Sequence, residues 1–166
     1  LYHGQSADEP DNAGKLMMAL DADRAAKDLR GAVEYLLKEG GASGSKVGVV
    51  GFCMGGQLAM YAAAVSPDQV GAVVNFYGIH PGVQVDHGKI TAAVMGNFAE
   101  KDGYAPAEAA KALEVAIKNS TGVETDFKIY SDQDHGFFND TRPEVHHKDS
   151  AADAWHRTVN WFKKHL

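Results

Sequence analysis

With 166 residues, 45% of them apolar, the chain has the size and core material of one globular domain, which excludes a disordered or fibrous protein. Its 22 acidic side chains against 16 basic ones leave a formal charge of −6, and the cations are scattered among the acids. That pattern excludes a nucleic-acid footprint and leaves small molecules as the expected partners. One cysteine, Cys53, excludes an internal disulfide. With no arginine-rich leader, secretory apolar segment or bilayer-length run in the sequence, a cytoplasmic protein without membrane association is expected.

Residues 1–14 are polar and turn-rich, and Asp8-Glu9-Pro10-Asp11-Asn12 predicts irregular structure. From Leu16 to Glu39 the apolar residues Leu29, Val33, Leu36 and Leu37 recur at three- and four-residue steps, the stripe of one helix with a buried face, which Gly40 and Gly41 end. Lys46 to Phe52 is apolar on both faces, as parallel strands covered by helices are, and Met54 to Val65 follows as an alanine-rich buried helix. The alternation continues with a strand at Val70 to Tyr77, a Pro/Gly/His loop at Gly78 to Gly88 and a strand at Ile90 to Asn97. A helix at Pro106 to Asn119, a strand at Val123 to Tyr130 and a closing helix at Asp149 to Leu166 complete it. On the last helix Trp155, Trp161 and Phe162 lie at helical steps and predict a packing face. Strands and helices in this order predict an α/β domain, a parallel sheet with right-handed crossovers and helices on both faces.

Val47 to Gly56, Val-Gly-Val-Val-Gly-Phe-Cys-Met-Gly-Gly, organises the rest. An apolar strand runs through a small-residue turn into a helix, with Cys53 at the turn. This is the form of a nucleophile elbow, which holds one side chain above the carboxyl end of the sheet in a strained conformation. Gly51 and Gly55 flank the cysteine and are expected where a β-carbon would collide. Reacting groups in an open parallel sheet collect at strand ends, and two more candidates occur there: Asp102 after the third strand and His135 after the fourth. Cys53, Asp102 and His135 follow the triad order of the α/β-hydrolase fold. The chemistry requires these types. The thiol must become a thiolate to attack a carbonyl carbon, the histidine takes and returns the proton, and the acid orients the imidazole. The backbone N–H of Met54, opening the helix, is the expected oxyanion donor. Tyr104, Phe137 and Phe138 adjoin these residues and are candidates for an apolar substrate pocket.

Gly48, Gly51, Gly55 and Gly56 fail the spacing of a dinucleotide-binding fingerprint. His146, His147 and Asp149 predict a solvated helix start rather than a metal site, because adjacent histidines on a helix diverge. His3, His80, His87 and His165 are expected at the surface.

Gly-Phe-Cys-Met-Gly-Gly at 51–56, Asp102 followed by Pro106, and His-Gly-Phe-Phe-Asn-Asp at 135–140 together resemble the dienelactone hydrolase family, a cysteine-dependent branch of the α/β hydrolases. The likeness covers nearly the whole chain, including Leu1-Tyr2-His3-Gly4. It implies a hydrolase of small carboxylic esters or lactones that works through a thioester acyl-enzyme on Cys53, with His135 as base, Asp102 orienting it and no cofactor. Two departures accompany the resemblance. The family holds a substrate carboxylate with arginines at positions occupied here by Gly4 and Asn139, and Arg142 lies close enough to replace the second. The family's sheet also continues beyond the nucleophile strand with earlier strands, which supply the second oxyanion N–H and a glutamate near the thiol. The 46–52 strand is therefore expected at the open edge of a four-stranded sheet, in the carboxyl-terminal part of a longer domain or beside a second chain that covers it. A rival expectation is a non-catalytic domain that keeps the fold and serves as a binding module or complementing half.

Overall fold

The computed structural model describes residues 1–166. Four parallel strands, β1 (Val47–Phe52), β2 (Val70–Phe76), β3 (Ala93–Ala99) and β4 (Thr125–Tyr130), pair in sequence order. Helices α1 (Pro10–Met18), α2 (Ala22–Lys38), α3 (Met54–Val65), α4 (Ala107–Thr121) and α5 (Lys148–His165) surround them.

Side-chain alternation along the strands divides the core in two. Ala72, Val74 and Phe76 of β2 and Met95 of β3 face α5, where they join Ala154 and Trp161. Val70 and Val73 of β2 and Val94 of β3 face the other way and join Met60 and Ala63 of α3, Val33 of α2 and Ile117 of α4. The result is three layers, with β2 and β3 buried along most of their length. β1 pairs only with β2, and its other edge is unpaired, with Val50 38% and Phe52 39% exposed.

The expected elements are present, with differences in their boundaries and in which side chains they bury. The helix expected from Leu16 to Glu39 is two helices: α1 stops at Met18 with Ala19 at its C-cap, and Asp21 caps α2, its carboxylate accepting the Arg24 backbone N–H at 3.1 Å. Helix α1 starts at Pro10, inside the stretch expected to be irregular, with proline at the first helical position where its missing N–H costs nothing. Within α2 the buried residues are Ala25, Ala26 and Val33, while Leu36 is exposed. The third strand starts at Ala93 rather than Ile90 because a short 3₁₀ turn, His87–Lys89, carries the chain inward first. On α5, Trp161 is buried as expected but Trp155 faces solvent.

Helix α3 packs tightly on the ends of β1 and β2. A β-carbon on Gly51 would lie 1.8 Å from the Gly55 carbonyl oxygen, and one on Gly56 would lie 2.1 Å from Asn75 Oδ1. The collision expected at Gly55 falls instead at Gly56: a β-carbon on Gly55 would meet nothing within 4 Å, since Gly55 contributes backbone to the contact and turns its own hydrogens outward. Gly51→Ala is therefore expected to lower the thermal midpoint by an amount equivalent to about 3 kcal/mol or more, since both clashing partners are backbone. Gly55→Ala is expected to stay within about 1 kcal/mol of the parent protein. Paired thermal melts of the two variants check this.

Candidate active site

The contact at Gly51 dictates the turn that follows. Cys53 has φ +54° and ψ −126°, a conformation that L-residues adopt only under constraint. The constraint is the ladder itself: Cys53 N–H donates to the Phe76 carbonyl at 3.0 Å, and its own carbonyl accepts from Gly56 N–H at 2.9 Å. The side chain is thereby lifted clear of the strand and exposed.

Asp102 follows β3 in a turn that folds back on its side chain. Oδ1 accepts the backbone N–H groups of Tyr104 at 2.7 Å and Ala105 at 2.9 Å, so it organises this turn while Pro106 occupies the cap position of α4. Oδ2 remains for one partner and receives His135 Nδ1 at 2.7 Å. The carboxylate is fully buried. His135 lies in the loop after β4, its ring between those of Tyr77 and Tyr104, with centroids 4.9 and 5.1 Å away. With Nδ1–H donating to Asp102, Nε2 is left for the thiol.

These contacts set the protonation states. The hydrogen bond with His135 pulls the Cys53 thiol below its ordinary value, burial opposes this, and the imidazolium charge and the Met54 backbone N–H add to the lowering. Burial by itself would depress His135, but hydrogen bonds to Asp102 and Cys53 and their negative charges lift it to about 9. Burial likewise works to raise Asp102, and is outweighed by hydrogen bonds from His135, Ala105 and Tyr104, which hold the carboxyl below its ordinary range. The three groups together favour a thiolate beside an imidazolium.

The site opens into a cavity of about 690 Å³ whose walls are mainly apolar, formed by Met17, Phe52, Tyr77 and Phe138, with Tyr104 on the rim. Of the pocket residues expected from sequence, Tyr104, Phe138 and Arg142 line it. Phe137 does not. It is fully buried, packed on Tyr130 at 4.8 Å and Tyr77 at 5.7 Å between ring centroids, because Gly136 at φ +85° turns the chain and sends the two phenylalanines to different sides. Arg142 is engaged by Glu144, its Nε donating at 2.8 Å.

Met17, Phe52, Tyr77 and His80 line the cavity without having been expected there. Tyr77 was accessible to the rule that strand ends carry function, since it ends the second strand. Met17 and Phe52 carried no such signal. His80, expected at the surface, is half-buried, its Nδ1 accepting from Gly82 N–H at 3.1 Å. His147 caps α5 by accepting the Ser150 N–H at 3.3 Å. No group of three or more His, Cys, Asp or Glu side chains is placed to hold a metal ion, and no helix is long and apolar enough to cross a membrane.

The model of the dienelactone hydrolase family matches residues 1–166. The chain is 37% identical over 170 aligned positions to "Protein usf" of Aquifex pyrophilus, covering 100% of this chain and 73% of that protein. It is 36% identical, with the same coverage, to a protein of Aquifex aeolicus named "Putative carboxymethylenebutenolidase". Among solved structures, one from Klebsiella pneumoniae described as a "Putative Dienelactone Hydrolase" superposes with a TM-score of 0.86 at 24% identity, over 99% of this chain and 73% of that one. A further α/β hydrolase, from a deep-sea metagenome, superposes at 0.69 over 84% of the chain. By its sequence and its α/β-hydrolase fold, the chain belongs to the dienelactone hydrolase family, a family of hydrolases.

Proposed function

We propose that the protein hydrolyses small, uncharged carboxylic esters or lactones through a thioester on Cys53. The observation that carries this reading is the 2.7 Å contact from a buried Asp102 to His135 Nδ1, with the imidazole lining the same cavity as the Cys53 thiol on its strained elbow. Membership of a hydrolase family and the carboxymethylenebutenolidase name of a relative support ester or lactone hydrolysis. The apolar walls, and an Arg142 already paired with Glu144, favour an uncharged ester over a carboxylate-bearing one.

In this reading the Cys53 thiolate attacks the carbonyl carbon and the π electrons move onto the carbonyl oxygen. The Met54 N–H, at the positive end of α3, stabilises that charge. The tetrahedral species collapses, the C–O bond breaks, and the departing oxygen takes a proton from the His135 imidazolium. His135, now neutral, removes a proton from water as the water attacks the thioester, and the thiolate is released. Asp102 holds the ring orientation throughout and stabilises its charged form.

Cys53→Ala is expected to reduce hydrolysis of p-nitrophenyl acetate to the background rate, and Cys53→Ser to lower kcat/KM at least about 100-fold, since the less acidic hydroxyl is poorly served by this histidine. Equal rates for the alanine variant and the parent protein would overturn catalysis by this thiol, and equal rates at background would leave a non-catalytic binding module.

The pH dependence follows from the directions of the shifts. Thiolate accumulates as pH rises through the lowered Cys53 pKa, so alkylation by iodoacetamide should reach half its maximum below the ordinary thiol value of about 8.5. His135→Ala should move that midpoint upward. Hydrolysis of esters with poor leaving groups should fall again near pH 9, as His135 loses the proton it must donate. A single rising curve with its midpoint at the ordinary thiol value would contradict the ion pair.

A further inference from the structure

The end of β2 carries Tyr77, which no step above uses. Its backbone has φ +41°, a left-handed conformation that a bulky side chain adopts only when its surroundings over-determine it. Three contacts do so. Tyr77 N–H donates to the Asn97 carbonyl at 2.8 Å. The fully buried Asn75 side chain spans the turn, Nδ2 donating to the Gly78 carbonyl and Oδ1 accepting the Gly78 N–H, both at 2.8 Å. Gly78 is wedged under the elbow, where a β-carbon would lie 2.5 Å from the Cys53 carbonyl oxygen and 2.6 Å from the Gln57 nitrogen. The turn that strains Tyr77 is thus braced against the turn that strains Cys53.

This geometry puts the tyrosine ring edge-on against His135, at 4.9 Å and 61° between planes. The ring is nearly buried, but the hydroxyl is not sealed. It makes no hydrogen bond within the chain and is absent from the set of buried unpartnered polar atoms, Ser66 Oγ, Asn97 Nδ2, His146 Nδ1 and His165 Nε2, while the residue lines the cavity together with Cys53 and His135. Burial and the charges of Cys53 and Asp102 push its pKa up, so it remains a phenol and a donor. β2 lies between β1 and β3. Tyr77 therefore stands on the side of the elbow from which Asp102 and His135 approach, away from the unpaired edge of β1. On that side the substrate atom that develops charge is the departing oxygen, since His135 delivers its proton there.

We propose that Tyr77 is a further catalytic residue, its hydroxyl donating a hydrogen bond to the alcohol oxygen of the bound ester as that oxygen leaves. The proposal rests on the cysteine-hydrolase reading. In the step concerned, the carbonyl re-forms, the carbon–oxygen bond breaks, its electron pair passes to the alcohol oxygen and the proton comes from His135. Tyr77 keeps its own proton, and its hydrogen bond strengthens as the charge on the oxygen grows.

The test is Tyr77→Phe, which deletes only the hydroxyl, assayed on p-nitrophenyl, phenyl and benzyl acetate. For benzyl acetate, whose alkoxide is a poor leaving group, kcat/KM is expected to fall about tenfold or more. For p-nitrophenyl acetate, whose phenolate leaves without help, it should change by less than about twofold. The ratio between esters within one sample does not depend on the fraction of protein folded. Alkylation of Cys53 by iodoacetamide, which expels no alcohol, should be unchanged. Equal losses on all three esters, no loss on any, or a parallel loss of alkylation would each overturn the role assigned to Tyr77. Failure of Cys53→Ala to abolish hydrolysis would overturn the cysteine reading itself, whatever Tyr77→Phe does.

Discussion

The rest of this structure depends on how closely β1 and α3 pass. With hydrogens alone on Gly51, the first turn of α3 sits directly on the end of the strand, and a single methyl there would overlap the Gly55 carbonyl. The chain has no room for a gradual exit from the sheet, so the reversal is concentrated in one residue. Cys53 takes up the strain at φ +54°. Ladder hydrogen bonding to β2 and the first hydrogen bond of the helix hold it there, which fixes the thiol in space before any substrate arrives. That is preorganisation obtained from packing rather than from a dedicated side-chain contact.

Electrostatics complete what sterics begin. Asp102 uses one carboxylate oxygen to build its own turn and the other to orient His135. Three hydrogen bonds reach the carboxylate, which lets it remain ionised in a fully buried position. The charge so maintained lifts His135, and the imidazolium in turn lowers the Cys53 thiol. Cys53 and His135 line the same largely apolar cavity. A cation at the mouth would draw anions to the thiol, but the Arg142 that lies there is bound to Glu144.

Strand β1 has a second physical consequence. Its apolar sequence suits a strand with neighbours on both sides, yet only β2 pairs with it, and Val50 and Phe52 remain partly exposed along the unpaired edge. Phe52 also forms part of the cavity wall and stacks with Phe138 at 5.2 Å between centroids. Edge and cavity therefore share a residue, so the exposure of the β1 edge and the shape of the pocket are linked.

Much of this was legible in the sequence. The alternation of apolar runs and amphipathic stretches gave the parallel sheet, and the residues after three strand ends gave the cysteine, acid and histidine, because both are local patterns tied to strand and helix periods. Boundaries were legible only roughly: the break at Asp21 and the late start of β3 arise from a cap and a 3₁₀ turn that periodicity does not register. By itself, then, the chain determined its elements, their order and the identity of the groups brought to the carboxyl edge. Only the tertiary structure decided that Phe137 packs inward while Phe138 faces the cavity, that Gly56 rather than Gly55 is sterically required, that Arg142 is already paired, and that Tyr77 stands against His135. The reason is physical. Each depends on which distant segment occupies the neighbouring volume, and that is settled only when the layers pack.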